Sequence, residues 1–260
     1  MDLNLGGRLA LITGGSKGIG LAVAEALAAE GCSLHLAARG EEALKAAADS
    51  LSKKYSVTVE THAADLEDQA AIETLGRTCR DVDILINCAG DVPHGNLVNV
   101  DSETWRRGWE LKVFSTIDLT RIIFGAMCER GSGVIVTIVG TSADVPDADH
   151  ICAGTANASL SMLTRSLGGA GPASGVRVLG VNPGLVQTER MIRIMEPRAE
   201  QKFGDRTRWG ELLSHLPYER PAYPTEIADV VAFLASDRAA YVSGVVLPID
   251  GGFCSDGKAF

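Results

Sequence analysis

The chain has 260 residues, of which 46% are hydrophobic and 22% charged, enough apolar material for one well-filled core without a second domain. A formal charge of −9 and a pI near 5.1 supply no basic face for nucleic acid or an anionic membrane surface, which leaves small molecules as the expected partners. Residues 1–7 lack the basic and apolar regions of a signal peptide, and no stretch of about 18 uninterrupted apolar residues is present, so a cytoplasmic location is expected.

From Leu9 an apolar run too short for a helix ends in a glycine cluster, and a helical pattern (Leu21, Val23, Ala24, Ala26, Leu27) begins at once. Strand, tight turn and helix therefore follow one another directly. Gly14, Gly18 and Gly20 let the backbone turn sharply and approach a ligand, and the helix start presents unpaired N–H groups to an anion such as a pyrophosphate. Further strands are predicted over 33–37, 57–63, 83–86, 133–139, 176–181 and 245–249. Helices are predicted over 39–52, from after Asp65 to about Cys79, and over 101–129, 153–167 and 224–236. Residues 188–217 break this rhythm with an insertion rich in Met, Arg and Glu, read as two short helices forming a lid. Alternation of this kind predicts one α/β domain over 1–260, a Rossmann-type doubly wound parallel sheet of about seven strands with its ligand across their carboxyl ends. The six cysteines (Cys32, Cys79, Cys88, Cys128, Cys152, Cys254) show no Cys-x-x-Cys spacing. They are read as reduced and mostly structural, with no metal site expected.

Several motifs occur in order: Thr13-Gly14-x3-Gly18-x-Gly20, Asp65, Asn87-Cys88-Ala89-Gly90, Pro183-Gly184 with Thr188, and Ser243-Gly244 with Asp250-Gly251-Gly252. On these the chain resembles the short-chain dehydrogenase/reductase family from Leu9 to Gly252. The resemblance implies a nicotinamide dinucleotide held at the turn by Thr13, Gly14, Ser16, Lys17, Gly18, Ile19 and Gly20. It implies Asp65 and Leu66 beside the adenine, Asn87, Ala89 and Gly90 as cofactor-binding residues where the family has Asn-Asn-Ala-Gly, and Pro183, Gly184 and Thr188 at the carboxamide. Where an acidic residue would bond the ribose hydroxyls stands Ala38, followed by Arg39. With Lys17 inside the turn, two cations flank the place of a 2′-phosphate, which predicts NADP(H) over NAD(H). The resemblance further implies an oligomer, a homotetramer or homodimer, through the helices over 101–129 and 153–167. Ala153, Gly154, Ala156, Ala158 and Ser161 would allow close approach there, and Trp105, Trp109 and Phe114 would add apolar area.

The family's catalysis uses a tyrosine, a lysine four residues later, a serine about thirteen residues before the tyrosine, and an asparagine on the preceding long helix. Anchored on Ala158-Ser159-Leu160 and Thr164-Arg165-Ser166-Leu167, the tyrosine position holds Ala153, the lysine position Asn157 and the serine position Gly140. Counted back from Leu119-Thr120-Arg121, the asparagine position holds Lys112. Lys112 and Asn157 read as an exchange of lysine and asparagine between the two helices, which keeps one positive charge in the site. His150 is a candidate proton donor and Thr141 or Ser142 a candidate hydroxyl. Cys152 and the acidic cluster Asp144, Asp147 and Asp149 are further candidates to line the site.

The residues thus point to an NADP(H)-dependent oxidoreductase acting on a carbonyl or secondary alcohol through a non-standard site. The alternatives are a catalytically silent subunit with a structural or regulatory role, beside an active paralogue in a hetero-oligomer, or a nucleotide-binding sensor. Charges of both signs in the lid fit a salt-bridged surface. Met191, Ile194, Met195 and Trp209 give it an apolar underside compatible with a hydrophobic substrate.

Overall fold

The computed structural model describes residues 2–255. Its first strand, β1 (Leu9–Thr13), is buried on both faces, Ala10 and Ile12 packing to one side of the sheet and Leu11 to the other, as a central parallel strand requires. The elements that follow are α1 (Gly18–Ala29), β2 (Ser33–Ala38), α2 (Glu41–Tyr55), β3 (Val59–Ala63), α3 (Gln69–Thr78), β4 (Ile84–Asn87), α4 (Ser102–Trp109), α5 (Ser115–Arg130), β5 (Gly133–Ile138), α6 (Ile151–Ala170), β6 (Val176–Pro183), α7 (Glu189–Phe203), α8 (Pro224–Ala235) and β7 (Val246–Ile249). The seven strands pair in the order β3-β2-β1-β4-β5-β6-β7, all parallel. One layer packs Val23, Ala24 and Leu27 of α1, Leu44 of α2 and Ile227 and Val231 of α8 on the sheet. The other packs Ile72 and Leu75 of α3 and Leu119, Ile123 and Met127 of α5, with Ala156 and Leu160 of α6 beside Val113 and Val139. The order reverses between β1 and β4, where an open α/β sheet leaves a crevice.

Local chemistry sets the helix ends. Asp68, Asp101 and Thr188 accept the backbone amides of Ala70 (2.9 Å), Thr104 (2.8 Å) and Met191 (3.3 Å) and so start α3, α4 and α7. Gly131 and Gly204, both left-handed, end α5 and α7.

The helical region read over 101–129 runs unbroken through α4 and α5, with a π-turn at Glu110–Phe114 where one residue more than the α-helical count is accommodated before α5 packs on the sheet. Two expectations change. The lid is not two short helices. It is the 15-residue α7, continuous through Pro197, followed by a 3₁₀ segment at Arg206–Leu213, the proline costing a single backbone donor. The small-residue face of the α6 region is also largely spent inside the chain: Ala153, Ala156 and Ser161 are buried against the protein's own core. The residues that α6 shows to solvent include Thr155, Ala158 and Met162, with Arg165 and Ser166 further along. Among the described residues no helix is long and apolar enough to cross a membrane.

β6, whose carboxyl end leads into the crevice, is anchored at its amino-terminal end by Arg177. Its guanidinium donates to the carbonyls of Leu234 (2.8 Å) and Ser236 (2.9 Å) at the end of α8, replacing partners that a helix C-terminus lacks. Arg177→Met strands those carbonyls, and a loss of about 2–3 kcal/mol in urea unfolding is expected, with the m-value unchanged.

Candidate active site

The glycine turn between β1 and α1 is built for close approach. Gly14 has φ +68°, and a side chain there would press on the backbone of Ala89 at 3.2 Å; a Cβ on Gly20 would run into the carbonyl of Gly14. No side chain caps the start of α1, whose N-cap is Lys17, so its first amides are left for an anion. The hydroxyl of Thr13 accepts the amides of Cys88 and Ala89 at 3.0 Å each, joining the ends of β1 and β4. Asn87 donates to Thr120 Oγ1 at 2.9 Å and so ties β4 to α5.

A cleft of about 680 Å³ opens beside this turn. Ile19, Cys88 and Gly90 line its side toward the glycine turn, with Pro183, Gly184, Thr188, Lys112, Gly140, Thr141, Ser142, His150 and Asn157 around the rest. Met191, Ile194 and Met195 of α7 form an apolar roof. A strut from Arg190 to Asp91 (2.5 Å) holds that roof to the segment after β4.

The candidate residues read from the sequence therefore converge, with partners that the sequence does not name. The Lys112 stem crosses the bare face of Gly90, whose added Cβ would lie 3.0 Å from Lys112 Cγ. Its ammonium donates to the carbonyl of Val139 at 2.9 Å. Desolvation brings the ammonium down to about 8. No hydrogen bond joins it to Asn157. The Asn157 amide donates instead to Ser142 Oγ at 2.7 Å, leaving Asn157 Oδ1 buried without a partner. Gly140 and Asn157 fit each other: Gly140 has φ +135°, and a Cβ on it would sit 2.8 Å from Asn157 Nδ2. Ala153 is buried and brings no polar atom. The His150 ring lies tilted against that of His94, centroids 4.6 Å apart, and its Nδ1 is buried without a partner. Burial first, then His94, Lys112 and Arg190, hold its imidazole below the usual value against the pull of Asp147. Asn182 accepts the amide of Gly140 (3.2 Å) and donates to Asp144 (2.5 Å), so Asp144 works as a brace for the Gly140 turn. Cys152 is buried, and Asp147 alone of the other two candidate carboxylates lines the cleft.

Beside the glycine turn and at the end of β2, Lys17 and Arg39 are exposed. Arg39 lies 3.5 Å from Glu67, which also accepts Arg107 Nε at 2.9 Å. Reading Arg39 alone misses this cluster, because Arg107 arrives from α4. Leu66 is buried in the core, which leaves only its backbone for a ligand, while Asp65 is exposed and accepts the amide of Glu67 at 3.1 Å.

A dinucleotide fits these features: a cradle that side chains at Gly14 and Gly20 would fill, uncapped amides, and buried polar atoms on Asn157 and His150 still lacking partners. Comparisons with known proteins agree. A family model described as enoyl-(acyl carrier protein) reductase matches residues 14–254. The 3-oxoacyl-acyl-carrier-protein reductase FabG of Escherichia coli is 33% identical over 257 residues, covering 96% of this chain and 98% of that protein. Galactitol 2-dehydrogenase (L-tagatose-forming) of Cereibacter sphaeroides is 31% identical over 252 residues, covering 96% of each. The crystal structure of L-sorbose reductase from Gluconobacter frateurii, complexed with NADPH and L-sorbose, superposes with a TM-score of 0.93 at 32% identity, covering 98% of this chain and 99% of that one.

The buried ammonium has a consequence for stability. Lysine ordinarily titrates at 10.5, and here at about 8, so the folded state binds fewer protons between those values and gains stability as pH rises through them. The wild type should gain about 3 kcal/mol relative to Lys112→Met between pH 8 and 10.5, read as the difference between paired urea titrations. A constant difference would place the ammonium in solvent.

Proposed function

The chain belongs to the short-chain dehydrogenase/reductase family, and on that premise we propose that it is an NADP(H)-dependent oxidoreductase of a carbonyl or secondary alcohol whose proton chemistry runs through Lys112. The observation that carries this reading is the Lys112 ammonium in the cleft, beside Gly90, at the carbonyl of Val139 and with no carboxylate bonded to it. The bound nicotinamide would supply or accept the hydride. A protonated Lys112 stabilises the oxygen charge that develops on a reduced carbonyl, and at about 8 it can donate its proton near neutral pH. His150, whose imidazole is held below its usual value, can relay a proton toward the cleft by accepting one on one ring nitrogen as it releases one from the other. Asn157 and Ser142 form a fixed amide–hydroxyl pair that orients the substrate oxygen. Ala153, Asn157 and Gly140 in the positions of the family's tyrosine, lysine and serine make this a divergent active site in our reading. The apolar α7 roof favours a substrate with an apolar face.

Arg39 and Lys17 support NADP(H) over NAD(H), since the Arg39–Glu67–Arg107 cluster together with Lys17 keeps a net positive charge at the adenine side. An assembly through the α4–α6 region would use the exposed Phe114, Thr155, Ala158 and Met162, as a homodimer or homotetramer in the cytoplasm. A second reading, a silent subunit or nucleotide sensor, is favoured by Ala153, which leaves the usual proton donor's place without a polar atom.

NADPH oxidation with a panel of ketones, aldehydes and acyl thioesters separates these readings. Turnover should fall about 10²- to 10⁴-fold in Lys112→Ala and less in His150→Ala, with NADPH affinity kept in the latter. In the reductive direction kcat should decline as pH rises through about 8, where the ammonium loses its proton. Nucleotide binding without turnover on any substrate supports the sensor. NADPH should bind about 10- to 100-fold more tightly than NADH, and Arg39→Asp should abolish the preference; equal affinities in the wild type refute the charge argument.

A further inference from the structure

We propose that His35, His62 and Cys79 form a site for one zinc-class divalent cation, completed by Glu60, at the outer edge of the sheet and apart from the cleft. The parallel pairing of β2 with β3 sets His35 opposite Glu60 and Ala37 opposite His62. Residues two apart share a face of a strand, so all four side chains project to one side. That is the side on which Leu11, Ile72 and Leu75 pack, and there α3 ends at Cys79.

The donor atoms converge: His35 Nδ1 lies 2.7 Å from His62 Nε2, Cys79 Sγ lies 3.7 Å from the same nitrogen, and all three lie within 4.8 Å of one another. A tetrahedral zinc with bonds of about 2.0–2.1 Å to nitrogen and about 2.3 Å to sulfur separates its ligands by roughly 3.3 Å (N···N) and roughly 3.6 Å (N···S). The sulfur is already at that spacing from His62 Nε2; the two nitrogens need to part by about 0.6 Å, and His35 Nδ1 and the sulfur, within 4.8 Å of each other, to close by at most about 1.2 Å, through rotation of the partly exposed His62 ring and the Cys79 side chain. Glu60 Oε2 stands 3.7 Å from His35 Nδ1 with its side chain 62% exposed, near the fourth corner and free to swing in. Imidazole with thiolate selects zinc over the hard cations magnesium and calcium. His35 and Cys79 are 8% and 1% exposed, so two ligands are held in apolar surroundings, each meeting the His62 ring at hydrogen-bonding distance. Sequence spacing conceals the set, because its members lie 27 and 17 positions apart and meet only through strand pairing. Ala63, the last residue of β3, is two residues from Asp65, so the ion would brace the strand that carries Asp65 to the adenine side.

The test uses the full-length, tag-free chain, stripped with a chelator and titrated with Co²⁺, followed by Zn²⁺ competition and metal counting by native mass spectrometry. One equivalent should bind, with a thiolate-to-cobalt charge-transfer band and tetrahedral d–d absorption that Zn²⁺ erases. The band should vanish in Cys79→Ser. Zn²⁺ affinity should fall more than about 100-fold in His62→Ala, beyond what loss of an outer hydrogen-bond partner of a ligand costs, and about tenfold in the surface change Glu60→Gln. Circular dichroism establishes that each variant is folded. Absence of the charge-transfer band in the wild type, which requires no variant, overturns the proposal, as does unchanged Zn²⁺ affinity in a folded Cys79→Ser protein.

Discussion

At the end of β1 one hydroxyl, that of Thr13, takes the amide hydrogens of both Cys88 and Ala89. Those two residues leave β4 at the point where the strand order reverses, so this bond pair sets how far the two halves of the crevice stand apart. Gly14 turns away immediately, because a side chain there would press on Ala89. Beyond Ala89 comes Gly90, across whose bare face the Lys112 stem runs to reach Val139, the neighbour of Gly140, which in turn makes room for Asn157. A chain of close contacts thus leads from the phosphate cradle to the proposed reacting groups, each link permitted by a missing side chain.

The fold was legible in the sequence because two strong signals coincide. Apolar runs too short for a helix alternate with helical patterns, and turn glycines sit at their carboxyl ends. The site was legible at the level of position: Lys112, Gly140, Ser142, His150 and Asn157 do line one cleft. Their partners were not. Periodicity cannot show that Asn157 bonds Ser142 rather than Lys112, since that depends on side-chain rotamers and on the room that Gly140 leaves beside the Asn157 amide. Nor can it show that Arg39 shares Glu67 with Arg107, whose helix arrives from 40 residues further on. The His35–His62–Cys79 set is hidden for the same reason, since strand register and not local spacing brings it together.

Charge in the cleft is arranged in an unusual way. Most cations near it are paired, Arg190 with Asp91 and Arg220 with Glu226, which fixes the lid and the segment beneath it while cancelling their fields. Lys112 instead ends on a neutral carbonyl. A buried ammonium without a counter-ion is costly, and the lowered proton affinity is the measure of that cost. Groups held in this state are sensitive to any developing negative charge nearby, which is the physical content of assigning Lys112 the proton chemistry.

The π-turn at Glu110–Phe114 bears on how this site could be transferred or altered. A residue advances about 100° around an α-helix, so the extra residue shifts the face that α4 presents relative to that of α5 by about that angle. Leu119, Ile123 and Met127 then lie on the sheet while Lys112, within the wide turn, looks into the cleft. Deleting one residue there would leave the composition of the segment almost untouched and regularise the helix, yet swing every upstream side chain a quarter-turn or more away. The position of the ammonium is therefore encoded as a count of residues as much as by the lysine itself, and a graft that copied the helix as an ideal one would carry the lysine over and lose its direction.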